Sequence, residues 1–275
     1  MQTLKYPSGI GFVLCLCISL PIYAGNDNFP AGARSSGVSN ASVTLADGWG
    51  TFNNQAGLAF LNSAMVGFHF ENRFFIREFS MQAATLAIPF KPGTIAASYR
   101  FFGYSKYYES KAGLAYSRKF SNRFAVGVQI DYLQIHIAEG YGNYNTVVVE
   151  IGLLVKPLKN LLVGFHVFNF TRVKRESLPE EKVPTVMRFG LGYSFDGKAL
   201  LLFETEKDIE QKPVYKGGIE IEMLHKLFFR GGYASVYDQF SFGLGYKCKG
   251  IIADLAFTRH NILGFTPHIS LGYEF

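Results

Sequence analysis

The stretch FSFGLGYK, Phe240 to Lys247, puts Phe240, Phe242, Leu244 and Tyr246 on one side of an extended chain and Ser241, Gly243, Gly245 and Lys247 on the other. Strand side chains point alternately to two faces, so this is a ribbon with one bulky apolar face and one small or polar face. MRFGLGYSF, Met187 to Phe195, repeats the pattern, with Arg188, Gly190, Gly192 and Ser194 on the small face. In VVVEIGLLVK, Val147 to Lys156, the odd-numbered residues are all Val, Ile or Leu, opposite Val148, Glu150, Gly152, Leu154 and Lys156.

About fourteen such segments follow one another, each about 9 to 14 residues long, which is what a tilted strand needs to cross a bilayer. They begin near Met65, Phe79, Thr94, Tyr108, Phe124, Asn145, Leu161, Val183, Ala199, Val214, Leu227, Phe240, Ile251 and Phe265. Their connections alternate in length. Short ones stand at Lys91, Phe120, Pro157, Asp196, Leu224 and Cys248; longer ones follow Phe70, Phe102, Ala138, Thr171, Thr205, Tyr233 and Phe257. Tight turns at one end and longer loops at the other are expected of a transmembrane antiparallel β-barrel. A soluble sandwich has no reason to sort its loops this way. The sequence therefore predicts an all-β outer-membrane barrel of a Gram-negative bacterium.

Composition agrees. Charged residues are 17% of the chain and aromatics 16%, with 27 Phe, 16 Tyr and 29 Gly, which fits β structure whose outer surface does not face water. The excess of 27 basic over 21 acidic residues is +6 with no basic run, so no nucleic-acid partner is expected. Residues 1–24 read as a signal peptide: Lys5 supplies the positive region, Ile10 to Leu20 the apolar run, and Pro21, Ile22 and Ala24 a cleavage site before Gly25. The apolar run is too short to serve comfortably as an uncleaved anchor. Leu14 and Leu16, preceding Cys15 and Cys17, argue against lipidation. Cys248 then remains as a single thiol, so no disulfide is expected.

The barrel is assigned to residues 64–275. Its last strand, HISLGYEF, His268 to Phe275, ends on an aromatic residue and resembles the signal that barrel-insertion machinery reads. Outer-membrane lipid and lipopolysaccharide are further expected partners; the charged loop from Arg172 to Lys182 reads as a solvated run, or else as a contact for lipopolysaccharide phosphates or a protein partner. Tyr104, Tyr107, Tyr108, Tyr141 and Tyr144 fit an interfacial aromatic girdle.

Residues 25–63 differ in kind and are expected to form a plug or periplasmic segment, with a short strand at Val38 to Leu45 and a small helix near Trp49 to Leu61. Asp47 is placed to cap that helix. Ala33-Arg34-Ser35-Ser36-Gly37, Ala41, Leu45-Ala46-Asp47 and Asn54-Gln55-Ala56-Gly57-Leu58-Ala59 resemble the opening of PorV/PorQ-type outer-membrane proteins, which in turn resemble the long-chain fatty-acid transporter (FadL-like) barrels. Gln55 stands where proline is usual, and Val38-Ser39-Asn40 replaces a Gly-rich run. The resemblance implies one of two functions: a transporter or pore for small, in part hydrophobic, molecules, or a non-catalytic accessory in type IX secretion or surface attachment with a secreted or periplasmic protein as partner. Transport is the favoured reading, since compact outer loops offer a large client little surface.

Polar positions on the inner face are His69, Arg100, Asp131, Glu150, His166, Arg188, Glu204, Glu220, Glu222, Arg230, Asp254 and His268. Their signs are mixed. That pattern predicts a network of paired charges lining the lumen, not a one-sign selectivity ring. His268 and Ser270 share the spacing found in outer-membrane phospholipases, but no Asn-Gly follows and both point away from lipid, so no enzyme is expected. The six His are scattered, without HExxH or paired-Cys spacing, so neither metal nor cofactor is expected from sequence. Gly217-Gly218 and Gly231-Gly232 lie in strands and read as backbone crowding or bending, not as phosphate cradles.

Overall fold

The computed structural model describes residues 30–139, 142–173, 183–224 and 226–275. Fourteen strands run in chain order: β1 Met65–Asn72, β2 Ser80–Pro89, β3 Thr94–Tyr104, β4 Tyr107–Ser121, β5 Phe124–Ile137, β6 Gly142–Leu158, β7 Leu161–Phe168, β8 Val186–Phe195, β9 Ala199–Asp208, β10 Val214–Leu224, β11 Leu227–Ala234, β12 Gln239–Cys248, β13 Ile251–His260 and β14 Gly264–Glu274. Each pairs antiparallel with its sequence neighbours, and β14 pairs with β1 to close the barrel. Closure satisfies every ladder without an edge, which the interior of a bilayer requires. The largest departures from the expected starts are β6, expected from Asn145, and β8, expected from Val183.

Alternation decides the faces. In β12, Ser241 and Gly243 are buried inside, while Phe242 and Leu244 are 53% and 42% exposed on the outside. Leu114, Ile130, Phe189, Leu201, Ile219, Leu271 and many like them form the same apolar exterior. An aqueous surface would not carry it; lipid is its solvent. Among the described residues no helix is long and apolar enough to cross a membrane.

The strands range from 8 to 17 residues, more widely than expected. Several outer connections are shorter than the sequence implied, because the ladder continues through them. Tyr104 pairs with Tyr107, which leaves only Ser105 and Lys106 between β3 and β4. Ile137 likewise pairs with Gly142. The expected signal peptide, Tyr141, His225 and the charged run from Lys174 to Lys182 lie outside the described residues.

The described segment ahead of β1 sits inside the barrel. It begins with a one-turn helix, α1 Ala33–Gly37. The strand expected at Val38 to Leu45 does not form. The wall's strands are already paired on both sides, so an inner segment finds no free edge. It turns instead, with Ser39 and Asn40 at φ 53° and 59°. The expected helix is two 3-10 turns, Gly48–Thr51 and Gln55–Phe60. Asp47 does cap the first, accepting from Trp49 N at 3.0 Å, and Asn54 caps the second, accepting from Ala56 N at 3.1 Å.

Glycine makes the room for this plug. An added Cβ at Gly127 would meet the Gln55 and Ala56 backbone at 2.4 and 2.5 Å; at Gly164 the Val43 carbonyl at 2.5 Å; at Gly232 the Val38 backbone at 2.4 Å. Gly152, Gly190 and Gly218 crowd Asn54, Val43 and Val38 in the same way. The outward members of the two glycine pairs, Gly217 and Gly231, meet nothing closer than 3.9 Å. Close approach explains only the inward half of each pair.

Candidate functional site

The site is the plugged lumen. Its polar side chains gather into four groups around the wall. On β4 to β7, the Lys111 ammonium lies 2.5 Å from Glu150 Oε1 and 3.5 Å from Asp131, and His166 Nε2 lies 2.8 Å from Glu150 Oε2. On β8 to β10, Arg188 donates to Glu204 at 2.8 Å, and Lys216 reaches Glu204 and Glu206 at 3.2 and 2.7 Å. On β10 to β13, Arg230 bridges Glu220 and Asp254 at 2.6 Å each. On β1 and β14, His69, Glu71 and His268 face one another. Arg100 is buried on β3, across the ladder from Lys111. Glu222 stands apart: it is half-buried near the end of β10 and accepts from Lys226 N.

Three of these groups hold the plug. Glu204 Oε2 accepts from Ser42 N and Val43 N, both at 2.8 Å, while Arg188 donates to the Asn53 carbonyl and the Ser42 hydroxyl at 2.9 Å. Gln55 donates to Glu150 at 2.5 Å, and Gln129 donates to the Thr51 carbonyl at 3.0 Å. Gln55 therefore anchors the plug to the wall. Arg34 forks onto Glu220 at 2.6 and 2.9 Å and reaches Asp47 at 3.1 Å. Burial works against the Arg34 charge, but the Glu220 and Asp47 carboxylates outweigh it and hold its pKa above the ordinary value.

The other motif residues have equally local roles. Ala33 N donates to Ser270 Oγ at 2.6 Å, Ser35 Oγ to Asn40 at 3.2 Å, and the Gly37 carbonyl accepts from Ser241. Asn54 donates to the Val43 and Leu153 carbonyls, Gly57 lies against the Leu45 carbonyl, and Ala56 and Leu58 are fully buried. Leu58 packs on Ala87, Ala96 and Ala115 of the wall. Ala46 alone among the motif residues is exposed.

Sequence reasoning missed Lys111, Lys216 and Glu71. Lys111 alternates with Gly113 and Ala115 and was readable as inward. Glu71 was read as the start of a loop, although β1 runs to Asn72. His268 does not serve Ser270: its Nε2 bonds to Thr258 Oγ1 at 3.0 Å, and Ser270 bonds to His69.

Toward the long-loop end the inner wall turns apolar. Leu133, Val148, Phe168 and Val186 are buried together with Val183. The Lys111 ammonium lies 5.3 Å from the Phe168 ring centre, where charge and apolar wall meet. On the lipid face, a groove of about 440 Å³ runs over Ala83 and Ala84 between Phe68, Tyr99, Phe101 and Leu271.

No family model matches the chain, and no curated protein sequence matches it. Solved structures do. The toluene transporter TbuX of Ralstonia pickettii superposes with a TM-score of 0.66 at 10% identity, covering 89% of this chain and 98% of that one. The CymD monoaromatic hydrocarbon channel gives 0.64 at 11% identity, covering 89% and 97%. A FadL homologue of Pseudomonas aeruginosa gives 0.62 at 10% identity, covering 89% and 98%. The fold is a FadL-like barrel. At this identity the likeness is one of fold alone. It supports the fatty-acid-transporter half of the resemblance drawn from the opening motif and lends nothing to the PorV/PorQ half. This chain is an outer-membrane β-barrel, and the neighbours are channels and transporters, not enzymes.

Proposed function

We propose that this FadL-like barrel carries small hydrophobic molecules across the outer membrane. The observation that carries the reading is the seated plug: a segment buried in a glycine cradle and tied to the wall by charged side chains fills the lumen where an open pore would hold water. A barrel built for passive flow of polar solutes has no use for such a stopper. The apolar patch of Leu133, Val148, Phe168 and Val186 supplies an inner surface on which an apolar solute would be desolvated, as ligand sites require. The lipid-side groove supplies an apolar surface for a solute leaving sideways. The fold neighbours described as a toluene transporter and a monoaromatic hydrocarbon channel support the same class of cargo.

The test is uptake into proteoliposomes of a radiolabelled monoaromatic hydrocarbon against a hydrophilic sugar of similar size, each measured above protein-free liposomes of the same lipid. Preferential, saturable hydrocarbon uptake is expected, reduced when Val148→Glu and Phe168→Ser are introduced together. Sugar passing as fast as hydrocarbon would overturn the reading. A secretion accessory would instead carry a periplasmic or surface protein through purification from native membranes and transport neither solute.

A further inference from the structure

We propose that His69, Glu71 and His268 form a binding site for a divalent transition-metal ion across the seam that closes the barrel. The seam is the β1–β14 ladder, in which Glu71 pairs directly with His268 and His69 with Ser270. His69 and Glu71 are two apart on β1 and so share the inner face. One ligand atom from each of His69, Glu71 and His268 lies within 4.8 Å of the other two. The carboxylate oxygen is 3.9 Å from the first nitrogen and 3.4 Å from the second. Bonds of about 2.0–2.1 Å to a tetrahedral ion place ligand atoms about 3.3 Å apart, so small side-chain movements would close the site.

A second observation points to the ion. Both side chains are at least nine-tenths buried, and His69 Nε2 and His268 Nδ1 have no hydrogen-bond partner. Each aims at the same carboxylate. The remaining ring nitrogens are both held from outside the cluster. His69 Nδ1 lies 2.9 Å from Ser270 Oγ, and His268 Nε2 lies 3.0 Å from Thr258 Oγ1. This is the support that metal-ligating imidazoles receive: one nitrogen fixed by a polar group, the other left for the ion. Arg73 occupies Glu71 Oε1, leaving Oε2 to the ion. Two imidazoles and a carboxylate suit Zn²⁺, Co²⁺, Ni²⁺ or Cu²⁺ rather than Mg²⁺ or Ca²⁺, and leave a fourth position open. A bound ion would clamp the first strand to the last at the level of the plug, where the Trp49 ring meets His69 edge-on with ring centres 5.9 Å apart.

That ring contact supplies the assay. Trp49 is the only tryptophan in the chain, so its fluorescence reports on this seam. Full-length mature protein, folded in detergent and stripped with EDTA, is titrated with Cu²⁺. Saturable quenching at about one equivalent is expected, prevented by prior Zn²⁺. His268→Gln and Glu71→Gln should each weaken binding by more than about tenfold, and Thr258→Val, which removes only an orienting group, by about tenfold. Retained heat-modifiable migration on gels verifies that each variant is folded. Should either ligand variant fail to fold, Thr258→Val carries the test. Absent or unsaturable quenching, or quenching that the folded variants leave unchanged, would overturn the proposal and leave the cluster as two imidazoles in contact with the Glu71 carboxylate.

Discussion

Replacing Gly127 by alanine tests whether the plug is seated by the wall. The new methyl group would stand 2.4 Å from the Gln55 carbonyl carbon and 2.5 Å from Ala56 N. Carbon atoms in contact sit about 3.5–4.0 Å apart, so one partner must retreat by about 1 Å. The wall does not yield, because Gly127 is laddered to Ser117 on one side and Gly152 on the other. The second 3-10 turn has to move, and it carries the Gln55 bond to Glu150 at 2.5 Å and the Asn54 bond to the Leu153 carbonyl at 3.1 Å. A buried polar group left unpaired costs about 1–3 kcal/mol, so losing both bonds costs about 2–6 kcal/mol. At about 1.4 kcal/mol per decade, the unseated population rises by about 30-fold to about 10⁴-fold. Single-channel recording in planar bilayers reads this directly: the parent protein should be nearly silent, and Gly127→Ala should show frequent open steps. Gly217→Ala is the control, since its added methyl meets nothing nearer than 4.0 Å. If folded Gly127→Ala is as silent as Gly217→Ala, steric seating of the plug is the wrong explanation for the inward glycines.

Two further expectations concern the buried charges and the lipid face. Glu204→Gln removes the nearer of the two carboxylates facing the Arg188 guanidinium, leaves Glu206 at 3.6 Å, and should destabilise the barrel by up to about 3–5 kcal/mol in urea unfolding from lipid vesicles; Arg188→Met combined with Glu204→Leu should cost less than the single change. Leu244→Lys, near the middle of β12 on the exposed apolar face, should cost about 2–4 kcal/mol in the same assay, whereas Lys at an inner position would not follow that depth rule.

The barrel itself was legible because a two-residue period is a local signal: Phe240, Phe242 and Leu244 declare one face without reference to any other strand. The inner polar positions followed from the same alternation, down to Glu150 and Arg188. What alternation cannot give is which inner groups meet. Glu150 finds Lys111 and His166 on strands to either side, at distances set by register. The plug was misread for a related reason. Val38 to Leu45 has strand-like residues but no free edge inside a closed ring, so its Ser42 and Val43 amides turn to Glu204 instead. The His69–His268 pairing was invisible to spacing motifs, because closure joins the first strand to the last and ligand motifs read along the chain do not span that join.

The charges of the lumen make a poor filter and a good mounting. Selection by sign needs a field that reaches the solute, and here the carboxylates that hold the plug have cations within a few ångströms: Lys111 faces Glu150, Arg188 and Lys216 face Glu204 and Glu206, and Arg34 and Arg230 face Glu220. Opposite charges that close cancel beyond their own separation, so a passing ion would feel little net preference. The same geometry suits attachment. A carboxylate already neutralised by a guanidinium still has lone pairs for backbone amides, which is how Glu204 holds Ser42 and Val43 while bound to Arg188. Paired charges can therefore fix a plug firmly without giving the passage a sign. In the proposed transport role, what remains to discriminate among solutes is size and polarity, and the inner surface available for that near the long loops is the apolar wall of Leu133, Val148, Phe168 and Val186.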